Sequence, residues 1–397
     1  MAAILFFLAS ATIPVAVYNE NAAIVLWSLL IAVGFFFTRS SRGLIGLTVG
    51  VSMLGAILPG IFLPVDSLYY PVVGAIVAAM CVGVSAGAYF QTVTRLFWVL
   101  PILSALGAVG AYLLTEQWLL AVMALALLPA TVALAVATNM GEGCTSAICY
   151  GVGGFLVSAV VLILLWIRQT YGALSVELFQ SLPAQWKADF VAARIQSRET
   201  MMAMIDQQLA SGEGLSAEVV ESYEALKQSF ASLMSDDVIR TSVEALFRLL
   251  PAFLFLGCSI PAFLGQRMLN AAYNTNGMSR VVTAEAEFFT MSLPSAVIYS
   301  VSLFLFMLPV KGMDFVSMVA GNLSLILLPG MLVIGFRSFK QLLGSKGTRS
   351  RRWITLLVIV MLLLATSGML YLGGFFGAYV RIMQAVRRAI KKKMGQG

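Results

Sequence analysis

The chain has 397 residues, of which 60% are hydrophobic and 11% charged, under half the roughly 25% charged fraction of soluble domains, and this excludes a soluble fold. The net charge of +7 does not point to nucleic acid, because the cations flank apolar runs where a membrane surface accounts for them. The absence of histidine removes the commonest general base and metal ligand, so neither a metal site nor a cofactor is expected.

Eleven apolar segments follow in order, near 2–18, 22–37, 43–64, 70–90, 95–114, 117–138, 148–167, 245–265, 290–310, 315–336 and 353–373. Runs of this length match the ~30 Å hydrocarbon core that a helix must cross. The expected fold is therefore all-α, a polytopic transmembrane helix bundle of 10–11 apolar segments. Its blocks are 1–167, an extramembrane insertion at 168–244, 245–374, and a basic tail at 375–397. Ala2 to Tyr18 reads as a retained first span, since no basic stretch precedes it. The short connections carry Glu20, then Arg39 and Arg42, Asp66, Arg95 and Glu116 in turn. This alternation of acid and base predicts a cytoplasmic N-terminus in a bacterial inner membrane. Cys144 and Cys149 flank a connection on that side and should be reduced thiols.

The insertion holds eleven acids and six bases, a balance of 6 − 11 = −5. Val191, Ile195, Met202, Ile205 and Leu209 recur at helical spacing, as do Val219, Tyr223, Leu226, Phe230 and Leu233. Gly212-Glu213-Gly214 separates the two sets, and Ser216 is a plausible N-cap. The spacing predicts an external helical hairpin packed over the mouth of the bundle, with Met201, Met202 and Met204 as packing residues. At the other end of the chain, Arg337, Lys340, Lys346, Arg349, Arg351 and Arg352 fill one loop without an acid, which the positive-inside bias holds in the cytoplasm. In the tail, Tyr379, Met383, Val386 and Ile390 share one helical face. Arg381, Arg387, Arg388, Lys391, Lys392 and Lys393 form the other, a pattern suited to an anionic membrane surface. Simple parity from the basic loop puts this tail outside, whereas its charge favours the inside. Three readings stay open: one final span, a turn back near Ser367-Gly368 or Gly373-Gly374, or a miscounted span upstream.

Few residues offer chemistry. Ala75, Ala79, Gly83 and Gly87 form a small-residue stripe that either packs within the bundle or docks a partner subunit. Polar groups in lipid are candidate sites by default. These are Arg248 at the start of a span, Asn322 seven residues before Pro329-Gly330, and Asn270 in a polar link at 267–287 placed as a cytoplasmic loop. Asn322 could bond across helices or satisfy carbonyls freed at Pro329. The stretch Asn139 to Cys144 is glycine-rich but lacks the lysine and spacing of a phosphate loop. No nucleophile and base pair in a polar pocket is evident, so an enzyme is not expected.

Several pieces in order are similar to the YybS-like family of predicted bacterial membrane proteins. They are Leu249-Leu250-Pro251, the polar link after Leu269-Asn270, Phe288 to Leu293-Pro294, Asn322 with Pro329-Gly330, and Leu372-Gly373-Gly374-Phe375-Phe376 running into Arg381. The family's close carries an acid that this chain lacks. The resemblance covers 245–393 and implies a distant likeness to the S components of energy-coupling-factor transporters. It implies a substrate-capturing subunit that docks a membrane scaffold and ATPases, although this chain lacks the alanine-x3-alanine stripe of their first span. The alternative is a structural or regulatory membrane protein without a substrate, acting through its hairpin or tail.

Overall fold

The computed structural model describes residues 1–39, 69–211, 235–277, 290–308, 314–343 and 367–393, with short pieces at 46, 48–50, 221–222, 224–225, 227–229 and 231. All secondary structure among them is helical. The helices are α1 (Ala2–Tyr18), α2 (Glu20–Thr38), α3 (Tyr69–Thr94), α4 (Val99–Thr115), α5 (Trp118–Met123), α6 (Leu127–Asn139) and α7 (Cys144–Tyr171). They continue as α8 (Val176–Ser211), α9 (Asp236–Arg248), α10 (Leu250–Thr275), α11 (Leu293–Met307), α12 (Asp314–Leu343) and α13 (Ser367–Lys393). Among the described residues, six helical stretches are long and apolar enough to cross a membrane. With a backbone that must satisfy its own hydrogen bonds in lipid, a bundle of helices is the form such a sequence has to take.

Local chemistry sets several boundaries. Asn19 caps α2, its Oδ1 accepting from the Ala22 N–H at 3.1 Å, so α1 and α2 form a hairpin joined by one residue. The span expected at 117–138 is broken at 124–126, where the N–H groups of Ala124, Leu125 and Ala126 bond three residues back. The cause is Pro129, whose ring collides with the carbonyl four residues earlier and whose nitrogen donates nothing. Ser158 on α7 then donates to the Ala126 carbonyl at 2.7 Å. The span expected at 245–265 runs instead over Leu250–Thr275, because a helix buried among other helices tolerates the polar residues that ended the apolar run in sequence. Asn270 is thus buried in α10 and not in a loop. Most of the segment expected at 43–64, residues 212–220 and residues 344–366 lie outside the described residues.

The central helix is α3, which packs on α1, α2, α6 and α10. Lipid supplies no hydrophobic drive for this association, so close backbone approach and dense packing must hold it. A Cβ at Gly83 would meet Leu127 at 2.6 Å and Ala9 at 2.7 Å, and one at Gly87 would meet Phe6 and Thr131, each at 2.6 Å. Ala75 packs with Ala16 and Ala23. These pairings make α1 antiparallel to α3 and α6 parallel to it. Gly34 against Val82, Phe37 against Tyr89 and Tyr89 against Tyr273 make α2 and α10 parallel to α3. Through Leu264, Met268, Leu269 and Tyr273, α10 belongs to the same core as the N-terminal helices.

A second group holds α11, α12 and α13 around Tyr299, Leu328, Met331 and Ala378. Met291 lies against Gly330 and Phe306 against Gly321, so α11 and α12 are antiparallel. In α13, a Cβ at Gly374 would meet Leu328 at 2.7 Å, and Gly377 lies beside Gly335. Numbers rise together on both helices, so α13 runs parallel to α12. Arg381 donates from Nε to the Met291 carbonyl at 2.7 Å, and the helix continues past it to Lys393. The tail therefore emerges at the same end of the bundle as Arg337, which resolves the conflict between charge and parity.

These directions sort the charges. Arg39, Arg95, Arg267, Arg337, Arg381, Arg387 and Arg388 gather at one end, with Glu142 as the one acid there among the described residues. Glu20, Glu116, Asp314 and the acidic insertion occupy the other. Among the described residues of the insertion, α8 and α9 pack side by side and antiparallel. The long helix α8 is paired to the returning chain by Lys227–Asp206, by Arg198–Asp236 at 2.6 Å and by Lys187–Glu244 at 3.3 Å. At ~1.5 Å per residue, the 36 residues of α8 extend about 54 Å. Trp186 stacks near Trp166, with ring centroids 5.7 Å apart, and Leu182 is buried, but α9 is the element against which α8 chiefly packs. Met202 is half-buried while Met201 and Met204 are exposed, so only the first serves packing.

Candidate functional site

The three polar candidates have different fates. Asn322 is fully used as a structural clasp. Its Oδ1 accepts from the Ala252 N–H at 2.9 Å, and its Nδ2 donates to the Arg248 carbonyl at 2.8 Å and the Met318 carbonyl at 2.9 Å. The chain breaks between α9 and α10 at Leu249-Leu250-Pro251, which leaves the first N–H groups of α10 without helical acceptors. Asn322 supplies one from α12, 70 residues away. It bonds across helices, as one reading expected, and not to carbonyls at Pro329. Both of its amide hydrogens are donated, and its Oδ1 accepts from Ala252.

Arg248 reaches this junction through its backbone alone. Its side chain is 49% exposed and bonds Glu244 at 3.3 Å on the same helix. Lys187 and Arg248 together hold the Glu244 carboxyl below the usual carboxylate range, the Lys187 hydrogen bond contributing most. Arg248 therefore belongs to the exposed base of the hairpin and not to a buried site.

Asn270 is the candidate whose hydrogen-bonding capacity remains open. It is buried, and its Oδ1 accepts a long 3.4 Å bond from Gln266 Nε2 one turn earlier. Gln266 Oε1 and Asn270 Nδ2 have no protein partner. The pair offers one free acceptor and one free donor in a water-poor interior, where an unmatched polar atom is costly. Gln91 on α3 is likewise buried with its Oε1 unpartnered. The sequence signal for Gln266 was available, since two amides four apart share a helical face. It was missed because 267–287 read as a loop.

The small-residue stripe is covered by the chain itself. Ala75, Ala79, Gly83 and Gly87 are buried against α1 and α6, so they are packing residues and present no open docking face. Further toward the basic end, the termini of α1, α2, α3 and α10 enclose a cavity of about 320 Å³ lined by Arg39, Tyr89, Phe90, Thr94, Thr275 and Asn276 among others. Its hydroxyls are spent on backbone carbonyls, Thr94 on Phe90 at 2.6 Å and Thr275 on Thr38 at 2.7 Å. Thr145 and Thr290 clasp the two helix groups at this end, the Thr145 hydroxyl donating at 2.7 Å and accepting at 3.0 Å. Of the predicted membrane-surface cations, Arg387 and Arg388 are exposed and Arg381 is anchored on Met291, while the side chains of Lys391, Lys392 and Lys393 lie outside the described set. Among the described residues, no three His, Cys, Asp or Glu side chains gather as a metal site.

No family model, curated protein or solved structure matches the chain. The fold and the charge distribution define its class, a multi-pass helical membrane protein, and its particular role has to be argued from the elements above.

Proposed function

We propose that this chain is a non-enzymatic protein of a bacterial cytoplasmic membrane that works by holding another macromolecule through its extramembrane hairpin. The observation behind this reading is α8, a helix of about 54 Å that packs chiefly on α9 and is exposed along most of its length. Ordering so long a helix in water without a core beneath it brings the bundle little stability, whereas an arm of that shape suits a binding role. This reading involves no docking of an energy-coupling-factor scaffold, since the stripe that would have served for it is buried within the chain. The test replaces residues 184–234 with a short Gly-Ser linker and compares, by mass spectrometry, what co-purifies in mild detergent. Proteins held by the full chain and lost from a monodisperse deletion variant are the expected result. An identical set of partners would remove the arm from the account.

A second reading, capture of a small neutral solute, rests on the unmatched Gln266 Oε1 and Asn270 Nδ2. A group carrying both a donor and an acceptor, such as a carboxamide, would satisfy both atoms at once. A thermal-shift screen of neutral amides, run on the native chain and on the Q266L/N270L variant, separates this reading from the first.

A further inference from the structure

We propose that the end of α13 is a lipid-sensing element that binds the anionic phospholipid surface at the basic face of the bundle. The parallel register of α13 with α12 carries residues 384–393 beyond the packed helices, because Arg381 already lies at Met291, ahead of the first turn of α11. Past that clamp Gln384 and every residue from Val386 to Ile390 are solvent-exposed. Its apolar face is exposed too, with Tyr379 at 52%, Val386 at 44% and Ile390 at 49%. A helix that keeps an apolar stripe beside cations, with no element of the described residues over it, has the character of an interfacial helix. The occupant is set by charge. Arg387 and Arg388 are followed in sequence by Lys391, Lys392 and Lys393, and Arg39, Arg95 and Arg337 lie at the same end of the bundle. Such a face repels cationic partners and attracts a leaflet rich in anionic headgroups, at about 1 kcal/mol per cation near the surface.

The test is amide hydrogen exchange of the full chain in nanodiscs of phosphatidylcholine alone and of phosphatidylcholine with 30% phosphatidylglycerol. Residues 384–393 should exchange at least about tenfold more slowly in the anionic discs, and 0.5 M salt should abolish the difference, since screening at that strength reaches only a few ångströms. A variant with Arg387, Arg388, Lys391, Lys392 and Lys393 changed to Gln should exchange alike in both discs. Its unchanged melting temperature would show that the bundle is intact. Equal exchange of the native chain in the two discs would overturn the proposal, as would protection of the Gln variant in the anionic discs.

Discussion

At the scale of single residues, burial decides whether a polar or small side chain is architecture or a free site. Asn322 makes two hydrogen bonds across the α9–α10 break and one to Met318 on its own helix. Asn322→Ala should lower stability by about 1–2 kcal/mol, for the loss of the part-buried bond to the Ala252 N–H and the more exposed bond to the Arg248 carbonyl, read as a drop in melting temperature. Asn322→Asp, which keeps the acceptor for Ala252 and loses the donor, should fall less. The stripe leads to a reversed expectation. Gly83→Leu would be a neutral probe of docking if the stripe faced a partner. With Ala9 and Leu127 within 2.7 Å of a Cβ there, it should instead deplete folded protein, visible as aggregation in size-exclusion chromatography. Gln266 and Asn270 behave in the opposite sense to Asn322. Because two of their amide atoms are unmatched, the double Leu variant should melt no lower than the native chain in the absence of a ligand.

At the scale of elements, the hairpin depends on three ion pairs and the Phe190–Phe247 contact at 5.6 Å. Glu244 is the titratable hinge of its base. Its carboxyl is held low in the folded chain, by Lys187 first and Arg248 second. A depressed folded value means that the contribution is fully present above the ordinary carboxylate value of ~4.3 and fades as pH falls through the lowered one. Hydrogen exchange in α9 should therefore be flat from pH 8 to 5 after correction for intrinsic rates, and rise below that. Glu244→Gln should remove the pH dependence, and a rise that persists in this variant would assign it to other carboxylates. The apolar helices were legible from run length and α8 from residues at helical spacing, whereas Val219, Tyr223, Leu226, Phe230 and Leu233 lie outside the described residues. The α5–α6 break was legible in principle, since Pro129 was in view, but the effect of a proline four residues upstream is hidden by an unbroken apolar run. The extent of α10 was not legible, because Gln266, Arg267 and Asn270 look like a loop until their helical neighbours are in place.

At the scale of the whole molecule, the arrangement has one acidic end bearing an arm and one basic end bearing a tail. The alternation of Glu20, Arg39, Arg95 and Glu116 already indicated it, but the tail could not be placed from sequence. Parity counts apolar runs and not helix directions, and the packing of Gly374 and Gly377 on α12 shows the direction of α13. The most direct measurement of this two-ended design is cysteine labelling with a membrane-impermeant maleimide. In a variant freed of Cys81, Cys144, Cys149 and Cys258, a single cysteine is placed at Ala184 in the arm or at Gln384 in the tail. In right-side-out vesicles A184C should react and Q384C should not, with the order reversed in inverted vesicles. Labelling of both positions from the same side would contradict the parallel course of α12 and α13 and, with it, the separation of arm and basic face on which the account rests.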